Sequence, residues 1–363
     1  MRAVITGGGT AGHVLPALAI AEGLLDRGID ADDVLYVGAQ RGIETRLVPP
    51  TGLAHELLDV VGLQRELSRR NLAFVPRMWS ARRRAIDLLG RFRPDVVVSV
   101  GGYASMPSVF AAGRLGIPVV VVSYDLLPGR ASRLAARGAA ACAVAFPDSP
   151  LPRATVTGAP VRRAILAVDR RRDRAAARHA LGVPANRFLL AVMGGSQGSG
   201  ALNTAIDGLL ERHATDRSLA VRHVVGERFL DGARPPTSGD DGVLYQPVGY
   251  EPEMAHVYAA ADLLVGRGGA STVHEVAVTG IPAVLVPWAG SAEDHQTLNV
   301  RWLADEAAAV HLPEADIDQL DDVVHQLRFD HEERAAIAAN AREMGEVHRS
   351  GALADLIIEV AAR

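Results

Sequence analysis

Two consecutive doubly wound α/β domains are the fold this sequence predicts, and three observations carry that expectation. Short apolar runs alternate with helical patterns along the whole chain, as parallel strands covered on both faces require. At 363 residues, the chain exceeds what one hydrophobic core usually organises. Glycine-rich turns stand between an apolar run and a helical pattern at three separate places, where such folds hold ligands.

The first strand is expected at Ala3 to Thr6, directly at the N-terminus. A signal peptide would show a charged stretch, a longer apolar core and a cleavage site, so a cytoplasmic protein is expected. The helix His13 to Leu25 follows, then strands at Val34 to Val37, Val96 to Val100, Val119 to Val122 and Ala143 to Phe146. A boundary is expected near Gly158-Ala159-Pro160-Val161-Arg162, giving domains of residues 1–160 and 161–345. The polar helix Asp169 to Ala180 opens the second domain, whose strands are read at Leu189 to Met193, Val221 to Val225, Leu263 to Val265 and Ala283 to Val286. Asp231 to Gly242, rich in Gly, Pro, Ser and Asp, reads as a mobile loop. In the last segment, 346–363, a helix at roughly Ala352 to Ala362 is expected to return to the first domain.

Composition narrows the function. Hydrophobic content of 48% with 22% charged residues describes a globular chain, and no apolar run approaches the roughly 20 residues of a membrane span. The single cysteine, Cys142, excludes an internal disulfide and a Cys-rich metal site, and its apolar surroundings place it in the core. Residues 1–160 carry a net charge of +5 and the remainder −9, so the first domain is expected to face something anionic.

The segment Gly266-Arg267-Gly268-Gly269-Ala270-Ser271-Thr272-Val273-His274-Glu275 opens a helix with small residues and places a carboxylate one turn inside. Amides at a helix N-terminus donate to a diphosphate, and a first-turn Glu can accept from ribose hydroxyls. Met193-Gly194-Gly195-Ser196-Gln197-Gly198-Ser199-Gly200 and Thr6-Gly7-Gly8-Gly9-Thr10-Ala11-Gly12-His13 repeat the strand-to-helix turn. Together the three loops point to a sugar nucleotide held in a cleft. The first loop also satisfies G-x-G-x-x-G, yet the second strand is followed by no carboxylate until Glu44, which argues against a dinucleotide. His13 can face the ligand from the start of its helix, and Gly101-Gly102-Tyr103-Ala104-Ser105-Met106-Pro107 offers a second substrate contact at the same sheet edge.

Asp30-Ala31-Asp32 and Asp316-Ile317-Asp318 resemble the acidic pair that holds a divalent ion in many sugar-nucleotide enzymes. Their positions, before a strand and at the opening of a late helix, make them caps or turns, so neither a metal nor a cofactor is expected. Gln64 to Arg93 holds nine Arg and two acids, interleaved with Leu72, Phe74, Val75, Met78 and Trp79. A solvated basic helix face is one reading; a surface resting on an anionic bilayer is the other. Nucleic acid is not expected as a partner, since the chain is acidic overall.

These residues together resemble the MurG family, whose members move N-acetylglucosamine from UDP-N-acetylglucosamine onto undecaprenyl-pyrophosphoryl-N-acetylmuramyl-pentapeptide in peptidoglycan synthesis. The likeness runs through His13-Val14-Leu15-Pro16-Ala17-Leu18-Ala19, Gly38 to Val48, Gly101-Gly102-Tyr103, Gly194 to Gly198 with Leu202-Asn203, and Ala261 to Ala277. It continues through Gly280 to Pro287 and Asp294-His295-Gln296-Thr297-Leu298-Asn299. It implies the GT-B fold, inversion at the anomeric carbon, no catalytic metal, and a peripheral position on the inner face of the cell membrane. The donor contacts it implies are Thr10, Ala11, Gly12, Arg162, Ser196, Gln296 and the helix start Ala270, Ser271, Thr272, Val273, His274 and Glu275, with Glu275 on the ribose. It also implies His13 as the general base.

Two departures stand out. Where the family shows His-Glu-Gln-Asn, this chain has Val122-Ser123-Tyr124-Asp125, so the donor contact of the family's Asn falls to Asp125, which cannot donate while ionised. Ala159-Pro160-Val161-Arg162 replaces Asn-Pro-Val-Arg. A glycosyltransferase of secondary metabolism with another acceptor, or a non-catalytic UDP-sugar-binding paralogue, are the alternatives these changes leave.

Overall fold

A computed structural model of the chain describes residues 1–60, 74–195 and 197–363. They divide into two compact units, Met1–Arg163 with Val347–Arg363, and Ala164–Glu346.

The first unit is a parallel sheet of β1 (Ala3–Thr6), β2 (Val34–Ala39), β3 (Ala54–Leu58), β4 (Val96–Ser99), β5 (Val119–Ser123), β6 (Ala141–Val144) and β7 (Ala154–Val156), in the order β3-β2-β1-β4-β5-β6-β7. The central strands are buried Val, Ile and Ala on both faces, because helices cover both sides. Those helices are α1 (Ala11–Asp26), α2 (Glu44–Leu47), α3 (Phe74–Phe92), α4 (Met106–Leu115) and α5 (Arg130–Ala136), with α6 (Arg163–Leu166) at the join to the second unit. Two edge strands, β3 and β7, are absent from the sequence reading. Residues such as His55, Glu56 and Thr155 are exposed on them, so no apolar run marks either one. Cys142 lies in β6, fully buried, and burial raises its thiol pKa.

The second unit begins with α7 (Arg170–Ala180), whose N-cap Asp169 accepts from the amides of Arg171 and Arg172. Its parallel sheet contains β8 (Phe188–Met193), β9 (Leu219–Val224), β10 (Leu244–Val248), β11 (Leu263–Gly266), β12 (Ala283–Leu285) and β13 (Val310–His311), in the order β10-β9-β8-β11-β12-β13. Here too the outer strands are the unforeseen ones: β10 carries Pro247, which an edge tolerates, and β13 is two residues long. The covering helices are α8 (Gly200–Arg212), α9 (Met254–Ala260), α10 (Ala270–Thr279), α11 (His295–Ala304), α12 (Leu320–Phe329) and α13 (His331–Arg349). The segment Asp231 to Gly242 is not free-standing, since Arg187 donates to the carbonyls of Gly239 and Gly242.

The chain returns to the first unit through the end of α13, and α14 (Ala352–Ala361) packs against α1. Arg27 of α1 clamps Asp355 of α14 through two hydrogen bonds of 2.8 and 3.0 Å. Gly158 receives the returning backbone closely; a methyl there would stand 2.7 Å from the Val347 carbonyl. His348 Nδ1 accepts from the Ala159 amide at 2.9 Å.

Candidate active site

In each sheet one pair of neighbouring strands sends its connections in opposite directions: β1 and β4 in the first unit, β8 and β11 in the second. A crevice opens beyond the carboxyl ends of such a pair, and both glycine-rich loops of each pair lie there.

In the first unit the loop after β1 leads into α1, whose third residue is His13. Its half-buried imidazole rests against Gly101 and Gly102 in the loop after β4. A methyl on Gly102 would stand 2.8 Å from the Gly8 carbonyl and 3.5 Å from the His13 ring, at a φ of +74° that also favours glycine. The Thr10 hydroxyl lies 3.1 Å from His13 Nδ1. Burial lowers the His13 pKa below 6.5, opposed by the charges of Asp125 and Glu44, so the ring is neutral at pH 7.

Asp125 stands half-buried two residues beyond the end of β5, next to Tyr124. The Tyr124 hydroxyl donates to the Gly12 carbonyl, which has no helical donor because the residue four further on is Pro16. Thr10, Ala11, Gly12, His13 and Asp125 are therefore brought together. Arg162 is not with them: its guanidinium grips Glu22 at 2.7 Å, nine residues along α1 and so about 13 Å from His13 by helical rise.

Sequence reasoning missed Glu44, a carboxylate with no exposed surface. Its carboxylate accepts from the amides of Gly9 and Ala39. The signal was present in Gly38, Gly42 and Glu44 standing together, yet only the fold shows that the glycines make room for the acid.

In the second unit α8 and α10 open beyond β8 and β11. Ser199 caps α8, accepting from the Leu202 amide, and also accepts from Arg267 at 2.5 Å. Arg267, almost fully buried, pairs with Glu314, whose other oxygen accepts from the Ala289 amide at 2.9 Å. The starts of the two helices are thus tied to each other and to the loop after β12.

The amides of Ala270, Ser271 and Thr272 precede the first intrahelical donor of α10, Val273, which bonds the Gly269 carbonyl at 3.1 Å. Ser271 and Thr272 are half-buried, whereas the side chains of Val273 and His274 are buried, His274 against the Trp302 ring at 5.5 Å. These two pack the helix into the core of its unit. Glu275, half-buried, accepts from the Tyr258 hydroxyl at 2.6 Å. Gln296 lies beside the helix start: its side-chain oxygen accepts from the Trp288 amide, and a methyl on Gly268 would stand 2.7 Å from its carbonyl. Ser196 lies outside the described residues.

The profile of the glycosyltransferase family 28 N-terminal domain matches residues 3–144, and that of the C-terminal domain matches residues 189–352. The chain is similar to the UDP-N-acetylglucosamine--N-acetylmuramyl-(pentapeptide) pyrophosphoryl-undecaprenol N-acetylglucosamine transferase of Desulforudis audaxviator, with 36% identity over 100% of this chain and 99% of that protein. The protein of the same name from Cutibacterium acnes is 39% identical over 88% of this chain and 86% of its own. The crystal structure of Acinetobacter baumannii MurG superposes with a TM-score of 0.72 at 26% identity, covering 99% of each chain. The fold is GT-B, and the chain belongs to the MurG family of glycosyltransferases.

Proposed function

We propose that the chain moves N-acetylglucosamine from UDP-N-acetylglucosamine to the 4-hydroxyl of undecaprenyl-pyrophosphoryl-N-acetylmuramyl-pentapeptide. The observation that supports this reading is that a glycine-rich helix start lies at the switch point of each unit: α1 with His13 beyond β1, and α10 with Glu275 beyond β11. The α8 and α10 amides receive the donor diphosphate and Glu275 the ribose, with Gln296 a further donor contact. His13 accepts the acceptor hydroxyl proton at Nε2, with Nδ1–H donating to Thr10, as the acceptor oxygen bonds C1 of the donor. The C1–O bond to the β-phosphate breaks with inversion, and its electron pair leaves with UDP.

The reaction runs without a metal in this reading, because helix-start amides supply the electrostatic stabilisation of the departing diphosphate. EDTA is expected to leave turnover intact; loss of turnover restored by magnesium would contradict this. Peripheral binding to an anionic membrane from the cytoplasmic side belongs to the same reading. On α3, Trp79 is 54% exposed with Arg83 stacked 3.5 Å over its ring, and Arg84 is exposed beside them. Gln64 to Ala73 of that basic stretch, with Leu72, lie outside the described residues, as do the side chains of Phe74 and Val75.

Val122-Ser123-Tyr124-Asp125 favours one competing reading, a different acceptor. Incubation with UDP-N-acetylglucosamine and a short-chain lipid acceptor, read by mass spectrometry, is expected to give the disaccharide. Product only with another acceptor would establish the competitor.

A further inference from the structure

We propose that Glu44 is a positioning residue for this transfer, a built-in anion that seats the first glycine loop from beneath and thereby fixes where His13 stands. The claim rests on the reading of His13 as the base. Glu44 opens α2, and its side chain folds back under the loop after β1, with no exposed surface. The Gly9 amide donates to both carboxylate oxygens at 3.1 Å, and the Ala39 amide to Oε1 at 2.7 Å. Space for the carboxylate exists only because its neighbours lack side chains: a methyl on Gly8 or Gly42 would overlap it.

The loop is held at further points. The Tyr36 hydroxyl donates to the Gly7 carbonyl at 2.7 Å, and a methyl on Gly9 would stand 3.1 Å from the Tyr103 ring. From Gly9 the constraint passes to the next residue, Thr10, whose hydroxyl is 3.1 Å from His13 Nδ1. A loop of this kind commonly offers its amides to a phosphate. Here the Gly9 amide is already taken, and a phosphate in that place would also meet a carboxylate. Glu44 therefore keeps a phosphate off the Gly9 amide.

Charge follows the same geometry. Of the elements around the His13 ring, β5 leads to Asp125 and Tyr124, α2 brings Glu44, the loop after β4 brings Tyr103, and α5 brings the Ser132 hydroxyl beside Gly101. Glu44 and Asp125 are the anions, and both hold the imidazole more basic than its burial alone would.

The test uses the full chain with Glu44→Gln, which keeps shape and an acceptor oxygen, and Glu44→Ala, which empties the pocket. In Glu44→Gln the His13 imidazole, followed by NMR, is expected to titrate lower than in the wild type, the direction for loss of a nearby anion. A kcat fall of roughly tenfold to a hundredfold is expected for a misplaced base, with UDP affinity unchanged by calorimetry. Glu44→Ala is expected to lose more activity and to regain part of it in formate, which fits between the Gly9 and Ala39 amides. Unchanged His13 titration and unchanged kcat in Glu44→Gln would overturn the proposal, as would full activity in Glu44→Ala without formate. If Glu44→Ala does not fold, Glu44→Gln decides alone. Full activity in His13→Ala would instead remove the base reading, while the NMR titration still reads the Glu44–His13 coupling without turnover.

Discussion

The Tyr124 hydroxyl donates to the Gly12 carbonyl, the acceptor that Pro16 strips of its helical partner. A proline inside a helix removes the N–H that would bond the carbonyl four residues back. A side chain at the end of β5 supplies the missing donor, one residue before His13. The tyrosine stands where the family carries glutamine, so the departure at 122–125 has a structural role. Tyr124→Phe is expected to cost about 1–2 kcal/mol in denaturant unfolding, with a lower kcat and an unchanged UDP affinity. A wild-type unfolding midpoint in that variant would refute the assignment.

Glu275 is held from behind by Tyr258, a fully buried phenol whose pKa is raised by burial and by the Glu275 charge. Glu275→Ala is expected to weaken UDP binding by about 1–3 kcal/mol, the worth of a hydrogen bond with a charged partner. Tyr258→Phe is expected to weaken it less, because the carboxylate stays but loses its orientation. Glu343→Ala, on exposed surface, serves as the control. Calorimetric affinities equal in all three variants would remove Glu275 from the donor site.

His13→Ala is expected to lower kcat by about 10²- to 10⁴-fold with little change in donor affinity, since a general base acts mainly in the transition state. Because burial depresses the His13 pKa, the neutral base form persists below pH 6.5 and is lost only as pH falls through the lowered value. The acid limb of the wild-type kcat/KM profile therefore belongs below the ordinary histidine range. It is expected to vanish in His13→Ala, and a limb of unchanged position in that variant would identify another group.

His223 provides a prediction about stability. Its Nε2–H donates to Asn203 Oδ1 at 3.1 Å, since the Asn203 amide nitrogen already donates to the Val225 carbonyl, and its Nδ1 accepts from the Tyr245 hydroxyl at 3.1 Å. Burial lowers its pKa to about 4. The unfolded chain, titrating near 6.5, takes up this proton first, so stability is present above about pH 6.5 and lost as pH falls toward about 4. The loss is bounded at about 3 kcal/mol. Thermal melts across that window are expected to fall more steeply for wild type than for His223→Gln.

Much of the fold was legible because interior parallel strands must be apolar on both faces. The runs around Ile5, Val98, Val121, Val192 and Val265 all became central strands. The edge strands β3, β7, β10 and β13 were not legible, because a strand with one neighbour tolerates exposed polar residues and proline. The glycine loops and His13 could be read from chemistry carried by contiguous residues.

What the sequence by itself determined is therefore everything local: the strand-to-helix turns, the carboxylate one turn into α10, the histidine at the start of α1, and the family these motifs share. Tertiary structure alone decided which distant groups hold them, namely Glu44 under Gly9, Tyr124 on Gly12, Tyr258 on Glu275, and Glu314 on Arg267. The physical reason is that buried polar groups need partners but accept them from any element the packing brings near. No spacing along the chain encodes such a partner; that Arg162 pairs with Glu22 only the fold shows.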